Sequence, residues 1–191
     1  EHSFAFKKIS DRALFQASHI NITYLNQWLN FLDLKSMTFL DDYHLHGSLK
    51  NFQVKLKANK PIMFFSELKS IGMHSDSKLS FRDLNGEIYL DLKSGYLNID
   101  TKNASLSFAK PYDKAFIFKK LTASYRWKKF TNFWRITTEN MYLELDNLSL
   151  SNRFSFDWTG DFNTSYLSSS TNFSGHNIEE LKPYLPKKAM N

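Results

Sequence analysis

From Asp83 to Trp127 the chain alternates apolar and polar residues through several successive segments, each broken by a turn rich in Gly, Asn or Lys. A period of two over that length constrains the fold more than any other feature of the chain. In Leu84-Asn-Gly-Glu-Ile-Tyr-Leu-Asp-Leu92 the side chains of Ile88, Leu90 and Leu92 share one face, because successive residues of a strand point to opposite sides. After Lys93-Ser-Gly95 the pattern restarts with Leu97 and Ile99, then Leu106 and Phe108, then Phe116 and Phe118, then Leu121, Ala123, Tyr125 and Trp127. This reads as an antiparallel meander with one apolar face and one wet face. The apolar face must be covered, and what covers it is the functional question.

Composition agrees with strands and removes several kinds of chemistry. Eighteen Phe and 9 Tyr carry most of a 16% aromatic content, while Gly and Pro number only 6 and 4, a balance that favours extended structure. At 191 residues the chain fits one domain, or one segment of a larger repeating architecture. It has no cysteine, so a disulfide framework, a thiolate metal site and a Cys nucleophile are all excluded. The net charge of +6 is spread over turns and strand faces, its densest pairs being Lys7-Lys8, Lys119-Lys120, Lys128-Lys129 and Lys187-Lys188. That distribution reads first as a mildly basic solvated surface, and only second as a contact for nucleic acid or lipid headgroups.

Outside the meander, Phe4 and Phe6 alternate, Arg12 to Ile22 can continue the sheet, and Phe39 to Lys57 returns to strands. Between them Leu25, Trp28, Leu29 and Leu32 recur at three- and four-residue steps, which predicts one short amphipathic helix over residues 23 to 34, capped by Asn21 or Thr23. Phe81 to Phe173 is nearly all strand by pattern, and Asn177 to Tyr184 is expected to form a short helical turn. Leu45-His-Gly-Ser-Leu49 and Leu84-Asn-Gly-Glu-Ile88 echo one another, each with a glycine where a strand needs a bulge or a close backbone approach.

The search for catalytic or metal chemistry returns little. His44 and His46 stand on one face of a strand near Asp41 and Asp42, but two histidines do not make a closed site and a rim position explains them. Asp41 and Asp42 are adjacent on an extended chain, so they point apart and share no acid–base task; Glu179-Glu180 is the other carboxylate pair. No serine sits in a nucleophile elbow, and no glycine-rich phosphate loop is present. Aromatics interleaved with bases in Tyr125-Arg-Trp-Lys-Lys-Phe130 and Phe133-Trp-Arg135 suit stacking on single-stranded nucleic acid. Tyr125 and Trp127, however, fall on the apolar parity of their own strand, and packing or groove lining accounts for them more simply.

The segment from Leu84 to Phe108, with Leu84-Asn-Gly-Glu-Ile88, Ser94-Gly-Tyr-Leu-Asn-Ile-Asp100 and Asn103-Ala-Ser-Leu-Ser-Phe108, resembles the pattern of the YhdP branch of the AsmA-like proteins. Agreement continues in order through Pro111-Tyr-Asp113, Arg126-Trp127, Trp134-Arg-Ile136, the segment from Leu143 to Leu150 and Tyr184-Leu-Pro186, and upstream through Leu45-His-Gly-Ser-Leu-Lys-Asn-Phe52. Where that pattern has a Pro-Gly turn before the Leu84 element, this chain has Lys78-Leu-Ser-Phe81. The resemblance implies a periplasmic section of an inner-membrane-anchored protein similar to bridge-like lipid-transfer proteins, with phospholipid as ligand, the membrane anchor outside this chain, and envelope proteins as further partners.

The chain opens at Glu1 in mid-pattern without an initiator Met and stops just after Tyr184-Leu-Pro-Lys-Lys188, so residues 1–191 are expected to be a single excised segment of a larger elongated β-groove protein. No run approaches the roughly 20 apolar residues of a membrane-spanning helix. The expected fold is mainly β: a strongly twisted antiparallel sheet curled into an apolar groove, with the short helix over 23–34 as its one lid. The expected groove lining is Ile88, Leu90, Leu92, Leu97, Ile99, Leu106, Phe108, Phe116, Phe118, Tyr125 and Trp127, with Glu87, Asp91, Lys93, Asn98 and Lys119 facing water. The expected function is non-enzymatic lipid carriage, without catalytic residue, metal or cofactor. A closed β-sandwich used as a scaffold or for protein interaction demands the same alternation and stays open beside it, and a nucleic-acid module is the third reading.

Overall fold

The computed structural model describes residues 3–24, 44–58, 60–75, 79–108, 115–146 and 148–175, with the side chain of Phe108 left aside. Within them the chain forms one antiparallel sheet of twelve strands. In chain order these are β1 (Phe4–Ile9), β2 (Arg12–Asn21), β3 (His44–Lys57), β4 (Lys60–His74), β5 (Leu79–Asp91), β6 (Ser94–Thr101), β7 (Ala104–Phe108), β8 (Phe116–Phe118), β9 (Lys120–Lys129), β10 (Trp134–Glu144), β11 (Leu148–Trp158) and β12 (Tyr166–Gly175). The helix expected over 23–34 falls almost wholly outside the described residues, as does the turn over 177–184. A short 3-10 turn at Ile22–Tyr24 stands where that helix was to begin.

Spatial order follows chain order from β1 to β6 and then runs through β9 to β12. The exception is only formal. β5 pairs with β6 through Gly86–Leu90 and with β7 through Leu79–Arg82, so β6 and β7 are one long strand kinked at Lys102 and Asn103. In the same way β8 and β9 are one strand kinked at Lys119, with β8 against β7 and β9 against β6. The order runs from β1 to β12 without returning, so the sheet is open. That decides against the closed sandwich.

The kinks have a local cause. Asn51, Ser70, Asp83 and Asn103 take φ of 51°, 48°, 62° and 57°, the left-handed region where Asn and Asp are tolerated better than other side chains. Each marks a break in register: Asn51 between the pairs Lys50–Glu67 and Gln53–Phe65, Ser70 between Leu68–Gly86 and Ile71–Leu84, Asp83 between Leu84 and Phe81, and Asn103 between β6 and β7. A bulge bends its strand and increases its twist. Four of them on neighbouring strands bend the sheet along a line.

Asn85 braces that line. Its side-chain oxygen accepts the Ser70 N–H at 3.0 Å, while its amide donates to the Asp83 carbonyl and to Thr101 Oγ1, both at 3.2 Å. The Thr101 hydroxyl donates in turn to the Asp83 carbonyl, so one residue of the Leu84-Asn-Gly86 motif ties β4, β5 and β6 together at their bulges. The two echoing glycines share a reason. A Cβ on Gly47, whose φ is +110°, would meet the Ser70 carbonyl oxygen at 2.5 Å, and one on Gly86 would run into the Asn98 carbonyl of β6.

Two apolar clusters result. One gathers Phe15, Ala17, Ile20, Leu49, Phe52, Val54 and Ile71 from β2, β3 and β4. The other joins Ala104 and Phe118, exposed by only 0% and 5%, to Leu145, with Leu84, Leu106, Phe116, Leu121, Leu143 and Leu148 packed around them. The kinked ends β7 and β8 therefore close against the ends of β9, β10 and β11.

Candidate functional site

Interstrand register shows how the apolar residues connect. Phe6 of β1 lies opposite Phe15, Phe15 opposite Val54, Val54 opposite Phe64, Phe64 opposite Leu90 and Leu90 opposite Gly95. Gly95 lies opposite Trp127, Trp127 opposite Ile136, Ile136 opposite Phe156 and Phe156 opposite Leu167 of β12. Directly paired residues share a face, so this is one unbroken row across ten strands. At about 4.8 Å per strand it runs roughly 43 Å. Its one gap is filled: the Trp127 ring covers Gly95 so closely that a Cβ there would come within 2.5 Å of it.

A second row lies beside the first, with Ile88 opposite Leu97, Leu97 opposite Tyr125, Tyr125 opposite Thr138 and Thr138 opposite Phe154. A third follows as Ile99, Ala123 and Met141. Burial pushes the Tyr125 hydroxyl above its ordinary pKa, as a dry neighbourhood does, and the hydroxyl rests 3.6 Å from Met141 Sδ. Thr138 Oγ1 is buried without a hydrogen-bond partner.

Cover over this face is uneven. In β2 and β3 its residues are buried, whereas Ile88, Leu97, Ile99, Tyr125, Trp127 and Ile136 stay half-exposed and Leu90 is 37% exposed. At the two edges of the sheet Phe6 and Leu167 lie open.

Of the residues assigned to the groove from sequence, Ile88, Leu90, Leu97, Ile99, Tyr125 and Trp127 come together in these rows. Leu106, Phe116 and Phe118 sit at the kinked end, in the second cluster. Phe108 is placed by its backbone alone, opposite Leu79. Leu92 stands in the turn between β5 and β6, 65% exposed, because Asp91 accepts the N–H groups of Lys93 and Ser94 and ends the strand there. The partners that complete the long row, Phe15, Val54, Phe64, Ile136 and Phe156, were not among the assigned residues. Their own alternation carried the signal, since Phe52, Val54 and Leu56, and Phe154, Phe156 and Trp158, repeat every two residues.

The opposite face is polar. Asn98 donates to Glu87 at 2.8 Å, Ser124 donates to Asn98 at 2.7 Å, and Asn51 donates to Glu67 at 2.6 Å. Glu67 and Glu87 are paired directly, and the hydrogen bonds from Asn51 and Asn98 offset part of their repulsion. Arg135 holds Asp157 with two contacts of 2.7 Å and keeps its carboxyl below the usual range. Lys119 pairs with Asp146. His44 lies opposite His74 and His46 opposite Gly72; among the described residues no group of three or more His, Asp or Glu is placed to hold a metal. No helix among the described residues is long and apolar enough to cross a membrane.

No curated protein and no solved structure matches this chain. One family model does: that of the YhdP protein, over residues 1–191, the same span within which one face of the sheet is apolar from edge to edge. The chain belongs to the YhdP family.

Proposed function

We propose that this chain is a non-enzymatic lipid-binding segment of a cell-envelope lipid-transport protein, in which phospholipid acyl chains lie along the apolar face while headgroups stay in water. The observation that carries the reading is the row from Phe6 to Leu167, an apolar track of about 43 Å that is buried at Phe15 and Val54 but half-exposed at Phe64, Leu90, Trp127, Ile136 and Phe156, where it is a poor sealed core and a good acyl surface. Each methylene removed from water contributes roughly 0.8 kcal/mol, so a chain of ordinary length gains enough on such a surface without any directed polar contact. Membership of the YhdP family, whose members are lipid-transport-related envelope proteins, supports the same reading. On it the chain is one segment of a longer groove, sits in the periplasm between inner and outer membrane, and belongs to a protein whose membrane anchor lies outside residues 1–191.

Leu97 and Asn98 are neighbours in sequence and face opposite sides of the sheet, which gives the test. A photoreactive benzoylphenylalanine at each position, in chain purified from bacterial envelopes, is irradiated and analysed by native mass spectrometry. Phospholipid should co-purify and crosslink from position 97 but not from 98. Absence of lipid, or equal labelling from both positions, overturns the proposal.

A further inference from the structure

On the polar face, beside the turns at 92–93 and 130–133, lies a cavity of about 380 Å³ lined by Tyr89, Tyr96, Phe130, Arg126, Lys128 and Arg135 among others, three cations without a carboxylate. Tyr89 and Tyr96 stack across the β5–β6 pair with centroids 5.7 Å apart. The Arg126 guanidinium carbon lies 5.9 Å from the Tyr96 ring centre, Lys128 Nζ 5.7 Å from that of Phe130, and the Arg135 guanidinium carbon 5.5 Å from the same Phe130 ring. Such faces hold cations in place electrostatically and leave their N–H donors free for an anion.

The carboxylates beside the cavity are engaged elsewhere: Asp91 accepts from the Tyr89 and Ser94 hydroxyls, and Glu87 accepts from Asn98. Arg135 is neutralised by Asp157, but Arg126 and Lys128 have no carboxylate partner among the described residues, and Lys128 stands directly opposite Arg135 in the β9–β10 register. Like charges directly opposite are unfavourable. The Arg135–Asp157 pair offsets part of that cost; an anion between Arg126 and Lys128 offsets the rest and uses both sets of donors, while Tyr96 and Phe130 provide flat walls for whatever the anion is attached to.

We propose that this cavity is a binding site for a phosphate ester, with Arg126 and Lys128 as its charge-bearing donors and Tyr96 and Phe130 as its apolar walls. Phosphate is the anion that arginine and lysine together recognise best, and the volume suits a phosphate with a small substituent rather than a whole lipid. The site lies on the face opposite the apolar row, so it stands independently of the acyl-binding reading. The ester has two sources, an anionic phospholipid headgroup reaching over the rim or a soluble phosphate ester.

The test is isothermal titration, in phosphate-free buffer, of the parent chain and of R126Q/K128Q with glycerol phosphate, with dihexanoyl phosphatidylglycerol below its micelle concentration, and with uncharged dihexanoylglycerol. Saturable binding of at least one phosphate compound by the parent is expected, weakened roughly tenfold or more in the double variant, while dihexanoylglycerol behaves alike with both proteins. Preference for the phosphatidylglycerol identifies a headgroup, and equal or better binding of glycerol phosphate identifies a soluble ester; either supports the site. Lys128→Gln alone, at an exposed position, guards against a folding artefact and should show part of the loss at an unchanged melting temperature. If neither phosphate compound binds the parent, or if the double variant binds as tightly as the parent, the site is overturned.

Discussion

Asn85 holds three partners on three strands; without it the Asp83 carbonyl and Thr101 keep their own hydrogen bond, while the Ser70 N–H loses the acceptor it has here. Asn85→Ala leaves the Ser70 N–H without its acceptor and is expected to cost about 1–2 kcal/mol, read as a lower denaturant midpoint together with faster hydrogen exchange at the Ser70 amide. Asn85→Asp keeps the acceptor and should fall between. The sequence showed Asn85 only as part of a motif, because a strand pattern assigns a face and is silent about which neighbours a polar side chain ties together. Asp91 offers a second residue-scale outcome. The Lys93 N–H, and after it the Ser94 hydroxyl and N–H, hold its carboxyl below the ordinary value of 3.8, with burial working against them. A depressed carboxylate contributes stability that is fully present above 3.8 and is lost as pH falls through the lower folded value. Asp91→Asn should therefore melt below the parent at neutral pH, and the two melting curves should converge in acid.

At the scale of strands, period two identified most elements but not β4 (Lys60–His74), whose stretch is less regular in sequence, and it failed at the bulges. On β3 the buried residues are Leu49 and then Phe52 and Val54, an odd position followed by even ones, and both parities reach the same face because Asn51 inserts one residue between them. An unbroken alternation would put one set outside. No glycine occupies any of these four positions; Asn51, Ser70, Asp83 and Asn103 look like ordinary polar residues until their φ is known. Asp83→Val and Asn103→Val force a β-branched side chain into the left-handed region and should each lower stability by about 1–2 kcal/mol in chemical denaturation. The matching glycine variants should match or exceed the parent. If valine is tolerated as well as glycine, the bulges are not what bends the sheet.

Across the whole molecule, the residues named from sequence supplied the middle of the long row and not its ends, because periodicity within one strand carries no information about which strand lies beside it. Register did that, once the hairpins were in place. It also distinguishes two residues that sequence treated alike. Leu90 is partly open and lies in the row, whereas Leu106 packs against the second cluster, so Leu106→Asp tests folding while Leu90→Asp tests the face. In the full-length protein, Leu90→Asp sets an ionised group against apolar ligand at a cost of several kcal/mol and should fail to restore outer-membrane lipid supply in a deletion strain, with the variant accumulating normally. His44→Ala and His46→Ala should restore it. The reverse result would point to an overlooked reactive centre.

Among the described residues the row also has no wall at either end: Phe6 and Leu167 are as apolar as the residues between them and lie on the two edge strands. On the proposed reading, a flexible hydrocarbon shifted sideways by one strand within the half-exposed stretch from β4 to β11, about 4.8 Å, meets nearly the surroundings it left. Its energy along this direction is thus a shallow ripple rather than a well, and the height of the ripple is set by how much adjacent side chains differ in bulk. If the proposed acyl ligand does occupy this face, its travel becomes a one-dimensional random walk that needs no moving part, biased only by whatever supplies molecules at one end and removes them at the other.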